Sequence, residues 1–233
     1  MPVRNRALPR QSQLQGGFGL VEILLALAIG SLLFLFNAQI QQQSNKDLKS
    51  KEMAESMQTF TDNATQYLLA NRADLIQAMT DGTGAASWCV INANTSTGVG
   101  TTAVNTTLHT CAVDVTFMKF KKVVPSNYRE TNSLNQRWTA IYRLIYEDYD
   151  NNAGTAPDSN GSVEMLVVGA TNGGKEKTGD VNDTVLTATI AGFNGGYIPN
   201  GQWGACQYNG TAKRACAAGG GWNADLSKFL DTP

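Results

Sequence analysis

Residues 18–36 read FGLVEILLALAIGSLLFLF, nineteen positions with a single charge, Glu22. No other stretch constrains the chain so strongly. At a rise of 1.5 Å per residue it makes about 28 Å of helix, close to the hydrocarbon thickness of a bilayer. Residues 1–17 before it carry Arg4, Arg6 and Arg10, no acid, and two prolines, Pro2 and Pro9, that work against a stable helix. Arginines ahead of the span and none just after it predict an N-terminus inside and a C-terminal body outside. With 233 residues, 42% hydrophobic and 16% charged, the chain has room for one good-sized domain plus appendages and is too polar for several spans.

The junction between leader and span is unusual. A conventional secretory signal places small residues after its apolar stretch. Here the positions that follow are Asn37-Ala38-Gln39-Ile40-Gln41, a poor match, whereas a small pair, Gly16-Gly17, stands before it. Cleavage after Gly17 removes the basic leader and keeps the helix. Glu22 is the second signal. A carboxylate at the centre of a bilayer costs about 2.5–3.5 kcal/mol on insertion scales, and less near the edge, where four residues from Phe18 would place it. The cut also creates an α-amino group on Phe18 with no partner of its own. In a bundle, the acid of one helix can neutralise the amine of its neighbour and fix their axial offset, since such pairs set register better than they add stability.

The stretch Gly17-Phe18-Gly19-Leu20-Val21-Glu22, with a basic leader before it and an apolar helix after it, resembles the processing motif of type IV prepilins and type II secretion pseudopilins. The resemblance covers roughly residues 10–40. It implies that a prepilin peptidase cleaves between Gly17 and Phe18, that Phe18 becomes N-methylated, and that Glu22, the fifth mature residue, pairs charges during assembly. Around Gln136-Arg137-Trp138-Thr139-Ala140 the chain also resembles the constant region of minor pilins of conjugative plasmids, a type IVb setting. Family helices often carry a mid-helix proline. None occurs here between Pro9 and Pro125, which leaves Gly30, about 1 kcal/mol worse than alanine in a helix, as the weak point at which assembly would melt it.

Downstream of residue 36 the pattern turns polar but stays helical. Met53, Met57, Phe60, Ala64, Tyr67, Leu68, Leu75, Ile76 and Met79 recur at three- and four-residue intervals, one face of an amphipathic helix used for core packing. The spacing predicts one rod over residues 18–79, ended by Asp81-Gly82-Thr83-Gly84. Strand-like runs follow at 88–91, 111–120, 138–146, 163–168 and 185–190, separated by turn-rich polar segments at 92–107, 148–161 and 171–183. Successive strands without helices between them predict an antiparallel sheet. The expected class is α+β, and the resemblance implies a type IV pilin fold: a long N-terminal helix, half transmembrane and half packed on the sheet, with a disulfide-stapled C-terminal region. The expected parts are a leader at 1–17, a membrane and assembly helix at 18–36, its amphipathic continuation at 37–80 and an external β-rich head at 81–233.

Four cysteines behind an export-type N-terminus read as two disulfides in an oxidising compartment, and they allow three pairings. The ten-residue separation of Cys206 and Cys216 makes a local loop natural, with Cys89–Cys111 then closing the second pair. No C-x-x-C occurs and His109 is the single histidine, so zinc is not expected. His109, two residues before Cys111, lacks the orienting group a catalytic pair needs. The oxygen-rich stretch with Asp148, Asp150 and Asn152 has calcium-type ligands without EF-hand spacing and reads first as a solvated hairpin loop. Asn172-Gly173-Gly174-Lys175 lacks P-loop spacing. Asn-x-Ser/Thr triplets at Asn63, Asn94, Asn105, Asn160, Asn182 and Asn209 reflect an Asn/Thr-rich surface.

Charge excludes one partner class. Three of the 18 basic residues lie in the leader, leaving 15 against 19 acids, a net −4. That balance, with only Lys119, Lys121 and Lys122 clustered, argues against nucleic acid. No cofactor and no enzyme activity are expected. The reading is a structural pilin, major or minor, whose partners are a prepilin peptidase, the inner membrane before assembly and other pilin subunits. Its destination would be a pilus at the cell surface, or a periplasmic pseudopilus if it is instead a type II secretion pseudopilin. A membrane-anchored periplasmic binding domain is a third class, disfavoured because no catalytic constellation such as G-x-S-x-G is present.

Overall fold

The computed structural model describes residues 19–149, 157–171, 181–199, 202–203, 206–207 and 214–230. Its chain divides into two compact units, residues 1–45 and residues 46–233. The helix α1, Leu20–Ala70, is continuous through both and passes Gly30 without interruption.

In the second unit, α1 buries Ser50, Met53, Ala54, Phe60, Ala64 and Tyr67, a spacing that keeps one face inward. α2 (Arg72–Asp81) adds Leu75, Ala78 and Met79. The expected single rod is broken between them at Asn71. The Asn71 side chain donates to the Tyr67 carbonyl at 2.8 Å, the same carbonyl its own backbone N–H uses at 3.1 Å. Asn37 and Asn63 make the same bond inside α1 without a break, and what marks Asn71 is its backbone, which leaves the helical region at φ −124° and ψ 26°. α2 ends at Gly82, whose φ of +81° is the left-handed cap conformation.

α3 (Ala85–Trp88) leads into β1 (Val90–Ile91), which pairs with β2 (Thr101–Thr102). A four-stranded antiparallel sheet then forms in the order β3 (Val104–Asn105), β4 (Thr110–Asp114), β5 (Gln136–Glu147), β6 (Asp158–Thr171). Register places Tyr142 opposite Cys111 on one side and Met165 on the other. Alternation then puts Trp138, Ala140, Tyr142 and Leu144 on one face, where they join Phe60, Tyr67, Leu75 and Met79 in the main core.

One expected strand, 185–190, is helical, and another, 111–120, is a strand only as far as Asp114. Residues 115–120, read as the end of a strand, form α4 (Val115–Phe120) because Asp114 caps it, accepting from the Thr116 and Phe117 amides at 3.1 Å each. Residues 185–190 lie in α5 (Val181–Ile190), where Thr187, Ala188 and Ala191 are buried at helical spacing and Thr189 bonds the Val185 carbonyl. Their β-branched composition suggested a strand, and tertiary burial decided otherwise. The segment 92–107, read as turn-rich, also contains β2 and β3.

The C-terminal part holds β7 (Gly196–Tyr197), β8 (Gln202–Trp203), β9 (Cys206–Gln207), β10 (Arg214–Ala217) and β11 (Asn223–Asp225). β10 is central between β11 and β7, while β8 pairs with β9. Cys206 is bonded to Cys216 and Cys89 to Cys111, with Cα separations of 5.9 and 5.2 Å.

Aromatic side chains fasten α1 to the rest of this unit. Tyr142 donates to the Ala64 carbonyl at 2.8 Å, Tyr128 to the Ser56 carbonyl, and the Trp138 indole to Ser56 Oγ at 3.1 Å. Burial pushes the phenols of Tyr142 and Tyr67 far above their ordinary range and that of Tyr128 up to about 12. The folded state therefore keeps protons that the unfolded chain gives up near pH 10, so stability is complete below about pH 10 and falls as pH rises further. We expect the melting temperature to drop steeply between about pH 10 and 11.5. Tyr142→Phe should start roughly 1 kcal/mol lower, for the lost hydrogen bond, and decline less steeply. Thermal melts followed by circular dichroism at stepped pH test this; parallel slopes for the two proteins would contradict it.

Candidate functional site

The first unit is the strongest candidate, and its chemistry follows from how it treats polar atoms. Between residues 20 and 36 the apolar side chains of α1 are exposed: Leu20, Phe34 and Phe36 are 77%, 74% and 62% exposed. The apolar window is long enough to cross a membrane, and none of it is buried by the rest of the chain. Within it, the polar side chains are satisfied locally. Ser31 Oγ donates to the Leu27 carbonyl at 2.7 Å, and Asn37 Nδ2 to the Leu33 carbonyl at 3.0 Å. The same back-bonding recurs at Thr59, Thr61 and Asn63 further along α1; it leaves the polar side chains of the apolar window satisfied by the helix itself.

Glu22 sits in the first turn. Its Oε2 accepts from the Gly19 N–H at 3.1 Å, while the Glu22 and Ile23 amides donate to the Gly19 carbonyl. The arrangement satisfies an amide left open by the helix start, and it places a negative charge where the helix dipole favours one. Gly17 and Phe18, the expected cleavage junction, lie outside the described residues, as do Asp150, Asn152 and the loop 172–175.

The other candidates read as structure. His109, at φ +51°, holds its Nδ1 3.1 Å from the Met79 carbonyl and its ring 4.3 Å from that of Tyr146. Lys119 pairs with Glu130 at 3.2 Å and Lys121 lies over the Trp88 ring at 4.4 Å, so two of the three clustered lysines serve internal contacts. Asn94, Asn105 and Asn160 each accept from amides two or three residues on, forming local turns. Asp148 is exposed, and among the described residues no three His, Cys, Asp or Glu side chains gather to hold a metal.

A polar centre was missed in the sequence. The Asp114 side chain, 2% exposed, accepts from the Asn92 amide at 2.8 Å and Thr116 Oγ1 at 2.7 Å besides its cap contacts, and it pairs with Arg137 at 3.2 Å. Arg137 also reaches Asn92 Oδ1 at 2.6 Å. An aspartate directly ahead of Val115-Thr116-Phe117 was the available signal for a cap. The Arg137 partnership, across 23 residues, had none.

Comparisons with protein-family models, with curated proteins and with solved structures found no match. The fold and the N-terminal unit therefore stand on their own geometry.

Proposed function

We propose that this chain is a structural subunit of a type IV pilus, anchored in the inner membrane by α1 and assembled into a filament after cleavage between Gly17 and Phe18. The observation that carries the reading is the first half of α1: apolar on every side, internally satisfied at its polar atoms, charged only at Glu22, and preceded by a basic leader ending in Gly16-Gly17. Such a surface needs lipid or other helices of its kind around it. A neighbour's α1 in a filament replaces lipid with an equally apolar partner, and Glu22 then has the Phe18 amine of that neighbour to answer. The antiparallel sheet, the helix packed on it and the Cys206–Cys216 loop are compatible with the pilin-like α+β layout.

Mass spectrometry of protein purified from membranes tests the reading directly. A chain beginning at Phe18 and carrying one added methyl group is expected. An intact Met1 or a cut beyond residue 36 would sink the proposal.

A further inference from the structure

Among the described residues the chain has two Asn-Gly pairs, Asn160-Gly161 and Asn194-Gly195. Such a pair matters chemically because glycine, having no Cβ, leaves its backbone nitrogen open to the carboxamide of the asparagine before it. At Asn160 the sheet is interrupted. Leu144 faces Val163 and Tyr146 faces Ser159, so Ile145 on β5 stands opposite residues 160–162 of β6. This is a bulge, which takes those residues out of the ladder and re-aims their groups. Gly161 makes the turn at φ +66°, a conformation that suits glycine.

Three contacts gather around the Asn160 carboxamide and the Gly161 nitrogen. The Ser162 N–H donates to Asn160 Oδ1 at 2.6 Å, an Asx turn that folds Cγ back over the following peptide. The Gly161 N–H donates to the Ser159 hydroxyl oxygen at 3.2 Å rather than to β5. Arg72 Nη2 donates to the Gly161 carbonyl, the other end of the peptide group that carries the Ser162 N–H. Hydrogen bonds in such a chain polarise one another, so Arg72 strengthens the Ser162 donor.

We infer that Asn160 is a self-modification site, converted through a cyclic imide to aspartate and isoaspartate with water as the only co-reactant. A bond forms between the Gly161 nitrogen and Asn160 Cγ. Ser159 Oγ takes the amide proton as it passes its own to water. Negative charge develops on Oδ1, where the Ser162 N–H is already aimed. The Cγ–Nδ2 bond then breaks, and Nδ2 takes a proton back from water and leaves as ammonia. Water adds to either imide carbonyl and opens the ring to an aspartyl or an isoaspartyl residue. The product is an acid where β6 had a neutral amide, one residue from the carbonyl that Arg72 holds. Asn194-Gly195 lacks this arrangement. Its Gly195 N–H is spent on the Gly192 carbonyl at 2.9 Å, and the Ala188 carbonyl packs against Gly195. The inference is independent of the filament reading.

Peptide-mass mapping tests it, on the full-length chain held at neutral pH in detergent micelles and on the same chain unfolded in guanidinium. Deamidation adds about 1 Da to the peptide that carries the site. Asn160 should convert about tenfold faster in the folded chain than in the unfolded one, and Asn194 about tenfold slower. Ser159→Ala, at an exposed position, should bring the folded rate at Asn160 down to that of its own unfolded control. A folded chain that converts Asn160 no faster than the unfolded one would overturn the proposal. So would conversion that yields no isoaspartate, which would mean direct hydrolysis, or an unchanged folded rate in Ser159→Ala.

Discussion

Asp114→Ala is expected to destabilise the second unit by about 3–5 kcal/mol, read as a lower midpoint in urea unfolding. Two losses combine. The α4 amides of Thr116 and Phe117 lose their acceptor, a cap effect of about 1 kcal/mol. Arg137, 14% exposed at its side chain, is left with a buried charge and only the Asn92 contact to answer it. The second loss is the larger, because removing one member of a buried pair strands the other. The pair is therefore best tested as a cycle. Adding Arg137→Met to Asp114→Ala removes the stranded charge, so the double variant should be more stable than the sum of the two single losses predicts. Strict additivity, or a loss below about 1 kcal/mol for Asp114→Ala alone, would show that the contact contributes little.

Glu22→Ala should leave the protein in the membrane fraction and lower its incorporation into sheared filaments by at least about tenfold. Membrane insertion depends on the apolar run, which the substitution makes slightly more favourable. Assembly, in the proposed reading, depends on the charge. The structure adds a complication that makes the experiment sharper, since Glu22 also accepts from its own Gly19 N–H. Glu22→Gln separates the roles: its amide oxygen can still accept that hydrogen bond but carries no charge. If pairing with a neighbour's amine is what matters, the glutamine variant assembles as poorly as the alanine one. Normal incorporation of Glu22→Gln would refute charge pairing and leave helix capping as the function of the acid.

Much of this architecture was legible because it rests on periodicity. The Met53-to-Met79 face and the β5 and β6 strands repeat over enough residues for the signal to outweigh local propensity. Shorter elements failed where one side chain overruled composition. Asp114 converted Val115-Thr116-Phe117 from strand to helix, and Asn71 divided a rod that the apolar pattern continued through. In α5 the valine, threonines and isoleucine favoured a strand, but burial of Thr187, Ala188 and Ala191 on one face required a helix. The N-terminal candidate site was legible for the opposite reason, since its signal is contiguous. The Asp114–Arg137 pair was not, because it joins β4 to β5 across 23 residues and no sequence spacing records that they meet.

The fastening of α1 also decides how the unit would respond to a pull along the helix axis. Besides core packing and the ion pair of Glu52 with Arg129, tension in α1 has two routes that matter for the order of events. One is the set of phenol and indole hydrogen bonds at Ser56 and Ala64, which such a pull loads in shear, all together. The other is covalent: along the chain past Asn71 to Cys89, and through the disulfide to Cys111 on β4. That bridge short-circuits residues 90–110, so the short strands β1, β2 and β3 can be slack while force travels around them. Reduction of the bridge would send the same force through those strands, and the molecule would extend by that loop before the sheet itself was strained.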